Sequence, residues 1–168
     1  FLHEDGAADQ IKQVILEHIG LTALSLAPRF QKALFLLGEG NNGKSVYVNA
    51  LCGIEGHFEG VFPRGSTSSS CPTTWDSGGV VGLQSREMMV GAILNAVPEV
   101  SGRFRDTPAF KSIIVADKVF SREAHSKLSQ RRFSCGHLFC LNNLPEVSSD
   151  SSEGFFRRCL FIPFRRDF

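Results

Sequence analysis

The apolar positions of the chain fall into short runs, separated by stretches rich in Gly, Ser and Asn. Between Asp9 and Ala27, the residues Ile11, Val14, Ile15, Leu16 and Ile19 recur near helical spacing, which predicts one or two helices. Asp9 reads as an N-cap, Gly20 as the end or an interruption of the first helix, and Pro28 as the close of the segment. Leu34–Leu37 is wholly apolar, the pattern of a strand covered on both faces. After a glycine-rich loop, the segment from Val46 to Leu51 can be helical. Residues 53–82 read as a long irregular loop, with room for short helical or strand pieces around Trp75, that carries many glycines and the run Ser66-Thr67-Ser68-Ser69-Ser70. A loop of that length is either mobile or functional. Trp75, inside it, reads as a packing anchor.

A second apolar run, from Met88 to Val97, reads as a strand ending in Pro98-Glu99. Phe104 to Ile114 reads as a short helix, and Val115 to Lys127 as a hairpin or loop. A third apolar stretch, Phe133 to Leu141, ends in Asn142-Asn143-Leu144-Pro145. Asp150 to Gly154 reads as a polar turn. Phe155-Phe156-Arg157-Arg158 then runs into a last strand through Phe164. Short apolar strands alternating with helices predict an α/β fold with a mainly parallel sheet.

Composition adds limits. The 168 residues amount to about one domain. No apolar run approaches the length of a membrane span, and no secretory signal is visible, so an intracellular rather than secreted chain is expected, with no membrane partner. The chain starts at Phe1 and reads as a fragment of a longer polypeptide. Charge is unevenly spread. Residues 1–100 carry 6 Lys and Arg against 10 Asp and Glu, while residues 101–168 carry 12 against 7. The basic half is where a nucleic-acid contact is sought, with a solvated basic face as the other reading. The five cysteines are odd in number and form no CxxC, which argues against a secreted disulfide framework. Cys135, His137 and Cys140 lie close together, but no second ligand pair accompanies them. Buried reduced thiols are favoured over zinc.

The chemistry concentrates in Gly38-Glu39-Gly40-Asn41-Asn42-Gly43-Lys44-Ser45, which fits G-x-x-x-x-G-K-[ST] at every fixed position. Glycines let such a loop turn its N–H groups inward, and with the next helix N-terminus these form an anion site. Lys44 supplies a mobile cation for terminal phosphates, and the Ser45 hydroxyl can hold Mg²⁺. Glu99 stands where a strand downstream of a P-loop presents its metal- and water-handling carboxylate. Asn142, at another strand end, both donates and accepts and can orient a water. Arg157 and Arg158 read either as fingers for phosphate charge or as surface ion-pair donors.

With these residues in place, the chain resembles the superfamily 3 helicase domain, nearest the phage, plasmid and poxvirus primase–helicase group. The likeness rests on Leu36-Leu37 with the eight-residue loop, on Asn142-Asn143-Leu144-Pro145, and on Gly154-Phe155-Phe156-Arg157-Arg158-Cys159-Leu160-Phe161-Ile162-Pro163-Phe164. The resemblance implies an AAA+-like P-loop NTPase core over residues 31–168, preceded by a helical segment over residues 1–30. It implies ATP and Mg²⁺ as cofactors and a homo-oligomeric, usually hexameric, ring acting on single-stranded or forked DNA. A primase domain or partner would accompany it, in the replication of a virus, phage or mobile element, in host cytoplasm or nucleus. Lys44 and Ser45 then bind phosphate and metal. Glu99 is the Walker B acid, Asn142 the sensor, and Arg157 or Arg158 the finger for a neighbour's nucleotide. Lys118, with Arg122 and Lys127 behind it, falls where the family keeps a DNA-contacting hairpin. The chain departs from the family in having Pro98 before Glu99 instead of an adjacent acidic pair. The competing readings are another P-loop NTPase, either a protein remodeller or a small kinase, and a non-catalytic remnant that binds nucleotide or DNA.

Overall fold

The structure is a computed structural model that describes residues 2–40, 42–54, 57–100, 107–144 and 153–164, with side chains from Ala8 onward. Helix α1 (Leu2–Ala23) and a single turn, α2 (Ala27–Phe30), lead into strand β1 (Ala33–Leu37). Helix α3 (Lys44–Cys52) follows, then β2 (Thr67–Ser68), a 3-10 turn at Pro72–Thr74, α4 (Gly79–Glu87) and β3 (Leu94–Val97). The second half holds α5 (Pro108–Ile114), β4 (Val119–Ser121), β5 (Ser129–Arg131), β6 (Gly136–Leu141), α6 (Glu153–Phe156) and β7 (Cys159–Pro163). Asn41, Pro145 and most of the Asp150–Gly154 turn lie outside the described residues, as does the start of the helix expected from Phe104.

Five strands form one parallel sheet in the order β2-β3-β6-β1-β7. β1 sits between β6 and β7, with Phe35 opposite Phe139 on one side and Phe161 on the other. Strand side chains alternate between faces. Phe35 and Phe139 therefore join Phe110, Ile113 and Phe155 in a core beneath α5 and α6. Leu34, Leu36 and Leu138 join Val48 and Leu51 of α3, with Ile11, Val14, Ile15 and Ile19 of α1, in a second core on the opposite face. That is why β1 is apolar throughout: each fully buried Leu or Phe contributes about 1.5–3 kcal/mol, and neither face is open to water. The fold is α/β, with a parallel sheet covered on both sides, as expected. No helix among the described residues is long and apolar enough to cross a membrane.

Several boundaries differ from the sequence expectation. α1 is one helix through Gly20, and Asp9 lies inside it, ion-paired with Lys12 at 3.2 Å on an exposed face. A Cβ at Gly20 would meet nothing within 4 Å, so the glycine carries only a propensity cost of about 1 kcal/mol, which packing of the helix overrides. The run Met88–Val97 is not one strand. Met88 ends α4, Gly91 turns the chain at φ 78, and only Leu94–Val97 pairs in the sheet.

The long segment read as a loop contains β2, the 3-10 turn and the start of α4, and its serines are structural. Asn95 of β3 is completely buried. Its Oδ1 accepts from Ser68 Oγ at 2.7 Å and Ser70 N at 2.8 Å, and its Nδ2 donates to Ser70 O at 3.0 Å. Ser70 Oγ accepts from Trp75 Nε1 at 2.8 Å and donates to Ser85 O in α4. Trp75 is the packing anchor, fully buried against Phe110, Phe139 and His137. One side chain in the central sheet thus fastens the segment that precedes it. Asn95→Leu leaves the buried Ser70 N–H and C=O unpaired and is expected to cost about 3 kcal/mol or more. Urea unfolding checks this, and a loss no larger than that of a surface substitution would refute it.

Candidate functional site

Three strand ends converge at the C-terminal edge of the sheet, where α/β folds place their ligands. The loop after β1 is held down on both sides. Gly38 N donates to Leu141 O at 3.1 Å, and Phe164 N donates to Leu37 O at 2.7 Å. Gly38 must be glycine, because a Cβ there would collide with Phe164 O and with Asn42 Nδ2. Gly43 takes φ 84 as it enters α3, a left-handed conformation that favours glycine. The turn after β3 is fixed in the same way, with Val100 N donating to Cys140 O at 3.0 Å.

The side chains follow from this frame. Lys44, at the first position of α3, is only 6% exposed. Its Nζ donates to Gly38 O, to Glu39 O at 2.9 Å and to Asn42 Oδ1 at 2.9 Å. Asn42 is equally buried, and its Nδ2 donates to Phe164 O at 2.9 Å. A cavity of about 370 Å³ opens above them, lined by Gly40, Asn42, Gly43, Lys44, Ser45, Val46, Pro98, Glu99 and Asn142. The loop, Glu99 and Asn142 are thus brought together as expected, with β6 between β1 and β3 carrying Asn142 into the space between them. Glu39 belongs to the loop but is not among the cavity's lining residues, and Asn41 lies outside the described residues.

The arrangement suits a polyanion. The first-turn N–H groups of a nine-residue helix have no intrahelical partners, and its dipole points positive end outward. Lys44 adds a full charge, and a volume near 400 Å³ is within the usual range of ligand sites. Convergence of polar groups, rather than volume, selects this cavity. A larger one, about 430 Å³ at the far end of α3, is lined by Cys52, Ile54, Phe58 and Arg64 among others. Arg64, its one cation among the described residues, is already paired with Glu59 at 3.5 Å.

Among the described residues, no group of three or more His, Cys, Asp and Glu side chains can hold a metal. The Cys135, His137 and Cys140 cluster fails for a simple reason. His137 and Cys140 lie three apart on β6 and so face opposite sides of the sheet. Cys135 Sγ stands 3.8 Å from His137 Nε2, all five cysteines are free, and burial pushes the Cys135 thiol up to about 12. Cys140 is also raised, to about 11, by burial, with the nearby Lys44 charge acting against that rise.

Residues 36–158 match a family described as of unknown function, DUF5906. The chain belongs to that family. No curated protein matches the chain. The matched span takes in the loop, Glu99 and Asn142, and it ends on Arg158.

Two sets of expected residues of this DUF5906 chain lie away from the cavity. Arg157 and Arg158 precede β7 at the opposite edge of the sheet, where Lys32 Nζ donates to Arg157 O and Ala33 N to Arg158 O at 2.8 Å. Five residues of strand, at about 3.3 Å each, put them roughly 15 Å from the cavity of their own chain. The hairpin expected near Val115–Lys127 is present but displaced along the chain. β4 and β5 pair antiparallel, with Val119 opposite Arg131. Lys118 is exposed just before β4, and Lys127 is exposed in the connecting loop. Arg122 is half-buried, its backbone N donating to Leu83 O of α4 at 3.3 Å. The hairpin is clamped to α4 by Arg86 Nη1 on Phe120 O at 2.7 Å and by the Arg131–Glu87 pair at 3.3 Å. Sequence reasoning did not name Val46 and Pro98 as lining residues, nor the two-sided hydrogen bonding of Asn42. Only the adjacency of Val46 and Pro98 to Ser45 and Glu99 pointed to them.

Proposed function

We propose that this chain is the AAA+-like P-loop ATPase core of a superfamily 3 type DNA helicase or translocase. It would serve replication of a virus, phage or mobile element as a homo-oligomeric, hexameric ring on single-stranded or forked DNA, with a primase domain or partner. The observation that carries the reading is the convergence of Lys44, Ser45, Glu99 and Asn142 on one cavity. ATP triphosphate would lie along the loop N–H groups, with Lys44 exchanging a loop acceptor for a phosphate oxygen. Magnesium fits the donor set. Mg²⁺ is usually held by one or two carboxylates and the substrate's own phosphates rather than by a full protein cage. Ser45 and Glu99 are the groups that would hold it, and when bound it neutralises charge on the transferring phosphoryl. Glu99 polarises the attacking water and Asn142 orients it. Asn95, spent on Ser68 and Ser70, takes no part. The Arg157–Arg158 pair would serve a neighbouring subunit's nucleotide, and Lys118, Arg122 and Lys127 would touch the DNA backbone. Those contacts are phosphate-directed, sequence-tolerant and salt-sensitive.

ATP turnover with and without single-stranded DNA tests the reading. DNA is expected to stimulate turnover, and Lys44→Ala to lower it by about 10²–10³, the usual cost of losing one preorganised charge donor. An assembled ring that binds nucleotide without turnover would identify a non-catalytic remnant. Phosphate transfer to a small acceptor instead of water would identify a kinase. Charge reversal at Lys118 with no change in DNA binding removes only the hairpin assignment.

A further inference from the structure

We infer that Asn42 is a positioning residue that couples phosphate occupancy of the cavity to the end of β7. The inference rests on the nucleotide reading of that cavity. Within the fingerprint, Asn42 occupies a position open to any residue. Here both ends of its amide are committed: Oδ1 accepts from Lys44 Nζ, and Nδ2 donates to Phe164 O, each at 2.9 Å. Asn42 is 6% exposed, and its Nδ2 occupies the space that a Cβ on Gly38 would fill. Phe164 in turn donates its N–H to Leu37 O at 2.7 Å. Lys44, Asn42, Phe164 and Leu37 therefore form one continuous chain of hydrogen bonds from the phosphate-facing ammonium to the end of the last strand.

An ammonium has three protons, and here all three are taken by acceptors of the loop. To meet a phosphate, Lys44 must release at least one. Gly38 O and Glu39 O are backbone groups fixed by the loop. Asn42 Oδ1 is the acceptor on a rotatable side chain and is the one released at least cost. Asn42 then loses one of its two holds, and its grip on Phe164 O loosens. β7 begins directly after Arg157 and Arg158, so the strand that senses the phosphate is the strand whose other end presents the arginines. Asp at position 42 would keep an acceptor for Lys44 and lose the donor to Phe164. It cuts only the second arm.

Hydrogen exchange of the segment 153–164, read by mass spectrometry on the full chain, tests this. The measurement is made with and without Mg²⁺ and a non-hydrolysable ATP analogue, at a concentration that saturates each protein by direct binding. In the wild type the analogue is expected to speed exchange at the end of β7 roughly fivefold, the loss of about one ordinary hydrogen bond. Asn42→Asp is expected to exchange at that faster rate from the start and to show no response to the analogue. Asn42→Ala, which cuts both arms, is expected to do the same. A merely structural role would alter the melting temperature yet leave the response in place, and a preserved response in either variant overturns the coupling. A wild type that binds the analogue with no change in this segment overturns it without any variant, while the nucleotide reading survives. A wild type that binds no nucleotide removes both.

Discussion

Between pH 6.5 and pH 4.5 the folded chain is expected to lose several kcal/mol of stability, with most of the loss traceable to two histidines. His18 of α1 and His137 of β6 are both buried, and His18 hydrogen-bonds the backbone of His137. Burial lowers His18 to about 4, the backbone hydrogen bond only partly offsetting it. Burial also lowers His137, to about 3, with the nearby His18 charge adding to the effect. His18 Nε2, Thr22 Oγ1 and His137 Nδ1 have no hydrogen-bond partner among the described residues, so a second proton on either ring would find no carboxylate there to accept from it. The sign follows from linkage. The unfolded chain protonates its histidines near pH 6.5 and the folded chain does not, so stability is full above that pH and falls as pH drops toward the folded values. A tenfold difference in proton affinity between the two states is about 1.4 kcal/mol, so His18 alone is worth on the order of 3 kcal/mol once titrated in the unfolded state. Urea midpoints at pH 7.5, 6.5, 5.5 and 4.5 measure the slope, and His137→Leu is expected to flatten it. The same slope in His137→Leu as in the wild type would place the acid sensitivity elsewhere. The pair also locates the weak point. Protonation works against the contact between α1 and the sheet, so α1 is expected to lose its hydrogen-exchange protection first.

How much of this was legible in the sequence depends on how local each cause is. The need for glycine at Gly43 was local, because a φ of 84 favours a residue without a side chain, whereas at Gly38 it comes from the close approach of Phe164 O. β1, β6 and β7 were visible as apolar runs because both faces of the sheet are covered. α4 was invisible for the converse reason. It starts on two glycines and exposes Val80 and Val81, and its position is fixed from outside by Ser70 on Ser85 and by Arg86 on Phe120. Asn95 stands in the sequence as one polar residue in an apolar run, whereas its bonds run to residues about 25 positions earlier. No local pattern encodes such a contact. The same holds for Asn42 and Phe164, which lie 122 residues apart. The motif places its residues beside the cavity, and the long-range bonds that aim their side chains appear only in the fold.

On the proposed reading, two inactive chains are expected to restore one another's activity. Arg157 and Arg158 lie at the edge of the sheet opposite their own cavity, so an arginine that serves a cavity must come from a neighbour. A head-to-tail ring supplies that neighbour at every site. Removing an arginine finger costs about 10³–10⁵ in rate, so the alanine variant of whichever of Arg157 and Arg158 is the finger should be at least as inactive as Lys44→Ala. Arg157 is the exposed member of the pair. Arg158 is half-buried and donates Nη1 to Gly154 O, so its loss also disturbs the turn into β7. Arg157→Ala is therefore the cleaner variant. In a ring mixed at equal amounts from Lys44→Ala and Arg157→Ala chains, a cavity works only where an intact loop meets an intact arginine. Random assembly gives that pairing at about a quarter of the interfaces. Turnover in the mixture is then expected to reach about a quarter of wild type if the sites fire independently, far above either variant alone. An arginine acting within its own chain would give no recovery, because every chain then lacks either the lysine or the arginine. Full activity of Arg157→Ala by itself would transfer the role to Arg158, and the same mixture made with Arg158→Ala decides that case.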